Sequence, residues 1–221
     1  MSGERTVRVG EFERAFTAAL LAGDQIAAET TIREAMEAKL TSAEIDEGII
    51  APALWQIGDL WERGEITVAD EHLATEISMR VLALQREAER VAEGRRARRV
   101  MLATPEGERH VVALRMAGNL LSGAGYWTVM LGPDVPAEAL AASVLRHHPD
   151  VVCLSVTMPA VSVQMMDSIF LVQAACPTAQ FVVGGQGMTS VVRSQAGVGI
   201  CERVSEVVEA VDAPVMRAGL N

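Results

Sequence analysis

Val100-Met101-Leu102-Ala103-Thr104, running directly into Pro105-Glu106-Gly107-Glu108-Arg109-His110, decides the architecture of the second half of the chain. A short apolar run ending in a Pro- and Gly-containing loop, followed by a helical pattern from Val111 to Leu121, reads as a buried strand handing over to a helix. The same texture recurs downstream. Trp127–Leu131, Val151–Val156 and Phe181–Val183 read as strands, with a fifth near Gly197–Cys201. Helical stretches at Ala137–Arg146, Ser162–Ala175 and Glu202–Val211 lie between or after them. This alternation predicts a Rossmann-like (flavodoxin-like), doubly wound parallel sheet over residues 98–221. Such sheets bind ligands outside the carboxyl ends of their strands, so the loops after Thr104, Leu131, Val156 and Val183 are where function is expected.

Upstream, the period changes. Phe12, Phe16, Ala19 and Leu20, then Ile49, Ile50, Ala53, Leu54 and Ile57, recur at helical spacing. Thr41 with Glu44, and Thr67 with Asp70, have the form of capping boxes, and Gly23 and Gly64 punctuate the segments. Residues 1–93 are therefore expected to form a four-helix bundle, joined by a Glu93-Gly94-Arg95-Arg96 linker to the α/β half. The fold class is α plus α/β.

Composition narrows the function classes. Of 221 residues, 50% are hydrophobic and 22% charged, as in a globular domain. No apolar run nears the roughly 18 residues of a membrane span, and the first residues lack a secretory core, so a cytoplasmic location is expected. The net charge of −10 repels a phosphate backbone, and no direct nucleic-acid binding is expected. The basic cluster Arg95, Arg96, Arg98 and Arg99 reads as a solvated linker. Cys153, Cys176 and Cys201 have neither zinc nor disulfide spacing and read as inert core thiols.

The chemistry is concentrated at Glu108-x-His110. A metal-ligating histidine needs its second ring nitrogen fixed by an acceptor, which sets the tautomer and raises the basicity of the coordinating atom, and Glu108 is placed to be that acceptor. Glu108-x-His110-x-x-Ala113 is followed after 41 residues by Ser155-Val156-Thr157, and after 26 more by Gly184-Gly185, with Gly187 just beyond. This spacing resembles the cobalamin-binding domain family, whose pattern is Asp-x-His-x-x-Gly, Ser-x-Leu and Gly-Gly. Glu108, Ala113 and Thr157 stand for its Asp, Gly and Leu. The resemblance implies that His110 ligates cobalt from below in place of the cofactor's own base. It also implies that Ser155, Thr157, Gly184, Gly185 and Gly187 accommodate the nucleotide tail.

In the helical half, Trp61, nine residues and then Glu71-His72 resemble the signature of the B12-dependent photoreceptors, the CarH-like light-sensing family. That resemblance implies adenosylcobalamin as cofactor, a bundle capping the upper corrin face, and contact of Trp61, Glu71 and His72 with the adenosyl group. A histidine that follows the tryptophan in that family is Glu62 here. The implied role is a light sensor, not an enzyme, signalling through a homo-oligomer or a regulatory protein partner. A non-covalent bilin beside the cobalamin is a variant of it, and a corrinoid shuttle of a methyltransferase system is the alternative. The shuttle branch usually continues with Gly-Lys-Asn where this chain has Ala113-Leu114-Arg115.

Overall fold

The computed structural model describes residues 3–88, 96–195 and 197–213. The chain divides into two compact units, Met1–Arg90 and Val91–Asn221. Of the expected linker, residues 93–95 lie outside the described residues.

The first unit is helical: α1 (Gly3–Leu21), α2 (Gln25–Glu37), α3 (Ser42–Ile45), α4 (Ala51–Glu62) and α5 (Val68–Ala88). A π-turn, Asp46–Ile50, joins α3 to α4, so Ser42–Glu62 forms one continuous rod and the bundle has four helical members. The helical spacing of the apolar residues did not reveal this turn. Its cause is Pro52, which has no N–H to give to the preceding turn; the chain widens before it, and the Ala51 amide donates five residues back to Asp46. Phe16, Ala19, Leu20, Ile49, Ile50, Ala53 and Ile57 are buried, as their spacing predicts, together with Ile32, Ile45, Ile77, Val81 and Leu82. Thr41 and Glu44 exchange both capping-box hydrogen bonds, and Arg5 of α1 grips the same carboxylate at 2.6 Å. That grip, with the Thr41 bonds, holds the Glu44 carboxyl at about 2. Thr67 and Asp70 form the second box at the start of α5.

The second unit is a five-stranded parallel sheet in the order β2-β1-β3-β4-β5. Its strands are β1 (Arg99–Pro105), β2 (Trp127–Val135), β3 (Val151–Ser155), β4 (Gln180–Gly184) and β5 (Val198–Cys201). The helices between them are α6 (Val112–Gly123), α7 (Ala137–His147), α8 (Ser162–Ala175), the short α9 (Ser190–Arg193) and α10 (Val207–Asp212). Met101, Val152, Leu154, Phe181 and Val183 pack with Leu140, Val144, Met165 and Ile169 on one face. Val100, Leu102, Val151, Cys153 and Val182 pack with Leu114, Leu121, Val207 and Val211 on the other. The strand order reverses between β1 and β3, which makes their carboxyl ends the switch point of the sheet. Burial pushes the Cys153 thiol far up, in keeping with an inert core cysteine.

The basic cluster is not a solvated linker. Arg96 donates to the Ala124 carbonyl at the end of α6, to Tyr126 and to Asp212, and lies over the Tyr126 ring at 4.7 Å. Arg98 donates to the Val211 carbonyl in α10 and to Gln180, and Arg99 to the His147 carbonyl that ends α7. The winding of the fold brings the C-termini of three helices to the amino edge of the sheet, and their unsatisfied, partly negative carbonyls attract these guanidinium groups. Arg95 lies outside the described residues.

Candidate functional site

Thr104, Pro105 and the loop to Val111 follow β1, and every residue from Gly107 to His110 is engaged there by a hydrogen bond or an ion pair. Glu108 is buried completely and uses both carboxylate oxygens. Its Oε1 accepts from the His110 amide at 2.9 Å and meets His110 Nδ1 at 2.6 Å. Its Oε2 accepts from the backbone amides of Thr157 at 2.6 Å and Met158 at 2.9 Å. Burial works against the charge, but the bonds from the His110 ring and from the amides of His110, Met158 and Thr157 outweigh it and hold the carboxyl at about 2. A carboxylate ionised in this way accepts only, so Nδ1 of His110 carries a proton, and in the neutral ring Nε2 is left with the lone pair. The imidazole is 55% exposed. A ring oriented by a buried anion and presented at the carboxyl edge of a sheet can donate Nε2 to a metal.

Ser155 ends β3 opposite Gly184, and Thr157 follows in the loop. Gly184 ends β4 against the Cys201 carbonyl of β5, and Gly185 and Gly187 beyond it sit against the backbone of the loop after β3. A Cβ on Gly185, whose φ is +112°, would lie 2.0 Å from the Val156 carbonyl oxygen, and one on Gly187 would lie 2.7 Å from the Thr157 carbonyl carbon. The Gly187 amide donates to Val156, and the Val156 amide to Gly184. The close approach that requires glycine here is thus backbone against backbone within this chain, and it sets the position of the amides that hold Glu108. Glu108, His110, Thr157 and the glycine loop converge at the switch point.

Two residues of this site were missed in the sequence. Thr104 is buried and donates to the Glu108 carbonyl at 2.6 Å. Asp134, near the carboxyl end of β2, accepts from the Gly107 amide at 2.8 Å and donates its own amide to Glu108. Gly132-Pro133-Asp134, a turn-forming cluster at the carboxyl end of a strand, was the available signal.

In the helical unit, Glu71 and His72 open α5, with His72 Nδ1 at 2.7 Å from the Glu71 carboxylate and Thr75 donating to its other oxygen at 3.1 Å. Trp61 lies one residue before the end of α4, across the Arg63–Thr67 turn, and is 46% exposed. Among the described residues, no helix is long and apolar enough to cross a membrane.

Two segments, residues 13–85 and 98–212, each match a family model described as a B12 binding domain. The chain is 33% identical over 190 residues, 85% of its length, to the HTH-type transcriptional repressor CarH of Myxococcus xanthus, and spans 60% of that repressor. A corrinoid protein of Desulfitobacterium hafniense is 22% identical over 78% of this chain and 82% of its own. Among solved structures, the Methanosarcina barkeri monomethylamine corrinoid protein shares the fold, with a TM-score of 0.74 at 18% identity over 91% of this chain and 97% of that one. The second family match alone spans more than half of the residues, and the chain belongs to the B12-binding domain family.

Proposed function

We propose that this chain is a light sensor that binds adenosylcobalamin, with His110 as the ligand below the cobalt and the helical unit as the cap above the corrin. Cobalamin binding is common to the family; the light-sensing role rests chiefly on one observation. Trp61, a large aromatic left 46% exposed, lies just before an opening helix turn that carries the Glu71–His72 pair, in the spacing that resembles the B12-dependent photoreceptors. An exposed tryptophan at the end of one helix, with a polar pair in the first turn of the next, suits an apolar ligand with a hydrogen-bonding rim better than it suits a bundle core.

The residues of the second unit fit the cofactor. Nε2 of His110 is the donor a cobalt ion requires, and Glu108 fixes the ring that carries it. Ser155 and Thr157 offer hydroxyls at the end of β3, where the nucleotide tail would pass. When bound, adenosylcobalamin supplies a cobalt–carbon bond that green light breaks. In the dark, Trp61, Glu71 and His72 would contact the adenosyl group. On losing that partner they would let the helices repack toward a different oligomer or a different contact with a regulatory protein. The role is binding and signalling rather than catalysis.

The second reading, a corrinoid carrier serving a methyltransferase, is favoured by the likeness to a corrinoid protein over 78% of the chain. The test is reconstitution with adenosylcobalamin in darkness, followed by green light, an absorption spectrum and sizing by chromatography. A change in both spectrum and size supports the sensor. Binding with no light response beyond that of free cofactor, and stable cycling of a methylated form under reducing conditions, supports the carrier.

A further inference from the structure

The loop that presents His110 is shaped from the neighbouring strand. Beyond Leu102↔Met130 the β1–β2 register slips twice, to Ala103↔Gly132 and then Pro105↔Val135, each step adding one residue to β2. The extra residues arch the end of β2 toward the β1 loop. At the end of that arch Gly132 has φ +94° and Asp134 has φ +58°, a left-handed conformation that a non-glycine residue adopts at some cost. From there Asp134 reaches the loop at three successive residues. Its Oδ1 accepts from the Gly107 amide at 2.8 Å, its amide donates to the Glu108 carbonyl at 3.0 Å, and its Oδ2 faces Arg109 Nε at 3.7 Å. The same Asp134 amide donates to Thr104 Oγ1 at 3.0 Å, and the buried Thr104 hydroxyl donates in turn to the Glu108 carbonyl at 2.6 Å.

We infer that Asp134 and Thr104 are positioning residues for the cobalt ligand: they fix the backbone of Gly107 and Glu108, and through them the carboxylate that orients His110. This rests on the reading of His110 as the lower ligand. Thr104 and Asp134 act on the main chain of Gly107 and Glu108, whereas Glu108 acts on the ring. Gly at this left-handed position would carry no conformational cost but would lack the carboxylate that meets Gly107 and Arg109.

Four variants separate conformation from hydrogen bonding. Asp134→Asn keeps both an acceptor for Gly107 and a residue type that tolerates positive φ, whereas Asp134→Gly relieves φ and removes the acceptor. Thr104→Ser keeps the hydroxyl, and Thr104→Val removes it at similar volume. Each protein is loaded with cobalamin in the cobalt(II) state, with histidine labelled by heavy nitrogen, and the nitrogen splitting of the cobalt electron-spin resonance is recorded. Amide exchange at Gly107 is followed in the cofactor-free protein, and thermal unfolding gives the folding control. The expected result is histidine splitting retained in Asp134→Asn and Thr104→Ser. In Asp134→Gly and Thr104→Val it should be diminished, with cobalamin affinity lowered about 10- to 100-fold. Gly107 exchange should be faster in Asp134→Gly, although that protein unfolds no earlier than Asp134→Asn. A wild-type spectrum insensitive to the label overturns the ligand assignment and the positioning role together. A label-sensitive wild type with Asp134→Gly and Thr104→Val unaltered overturns the positioning role alone.

Discussion

The carboxylate of Glu108 and the backbone amide of Thr157 meet at 2.6 Å across the point where the strand order reverses, which makes the loop bearing His110 and the loop after β3 a single unit. Glu108→Gln keeps the shape but turns an NH2 group toward donors on one side. We expect a loss of about 1–3 kcal/mol in the cofactor-free protein, the cost of leaving buried donors unpaired. We also expect a weaker histidine contribution to the cobalamin spectrum. Urea unfolding and absorption spectroscopy measure the two effects, and unchanged stability would remove the bridge from this account.

Acid sensitivity of the helical unit should trace to Glu44. Its carboxyl is held at about 2 in the fold, against an ordinary 4.5, so the stabilisation is complete above pH 4.5 and is lost as pH falls through the folded value. Glu44→Gln has no such group to protonate. Its melting temperature should fall less steeply than that of the wild type between those two pH values, and parallel curves would contradict the assignment.

Gly185→Ala should be the most damaging of the glycine substitutions. The left-handed backbone alone costs about 1–3 kcal/mol, and the new methyl also has to displace the Val156 carbonyl, 2.0 Å away. Gly184→Ala, whose nearest neighbour is the Cys201 carbonyl at 3.1 Å, should be milder. Because Val156 precedes the amides that hold Glu108, Gly185→Ala should also perturb the His110 environment, observable as a shifted histidine NMR resonance.

Trp61→Ala should change the unfolding free energy by less than about 0.5 kcal/mol, since the ring is half exposed, yet lower the preference for adenosylcobalamin over hydroxocobalamin. A large stability loss with unaltered preference would place Trp61 in the bundle core instead.

Much of this was legible in the residues. Apolar runs bounded by turn formers located all five strands, most clearly the central β1, β3 and β4, which are buried along most of their length. The trace of β2 ended at Leu131 in the sequence and continues to Val135 in the structure, since Gly132-Pro133-Asp134 pairs with β1 without carrying an apolar pattern. Glu108 was visible as the partner of His110 because the two are neighbours in the chain. Its grip on Thr157 and Met158 was not, because they lie 49 and 50 positions further along the chain. Arg96, Arg98 and Arg99 were misread for the same reason: what they bind is assembled only when the helices return to one edge of the sheet. Pro52 inside a strongly periodic helix was the one local sign that the rod would widen.

The side chains of Arg96 and Asp212 are joined at 2.6 Å, the first at the entry to the sheet domain and the second at the close of its last helix. Within the described residues, the two ends of this unit therefore stand at one doorway, on the rim opposite the His110 loop. A domain with that layout is a cassette: it can be spliced into a surface loop of an unrelated host, or have its ends sewn together and reopened elsewhere, with its ligand face undisturbed.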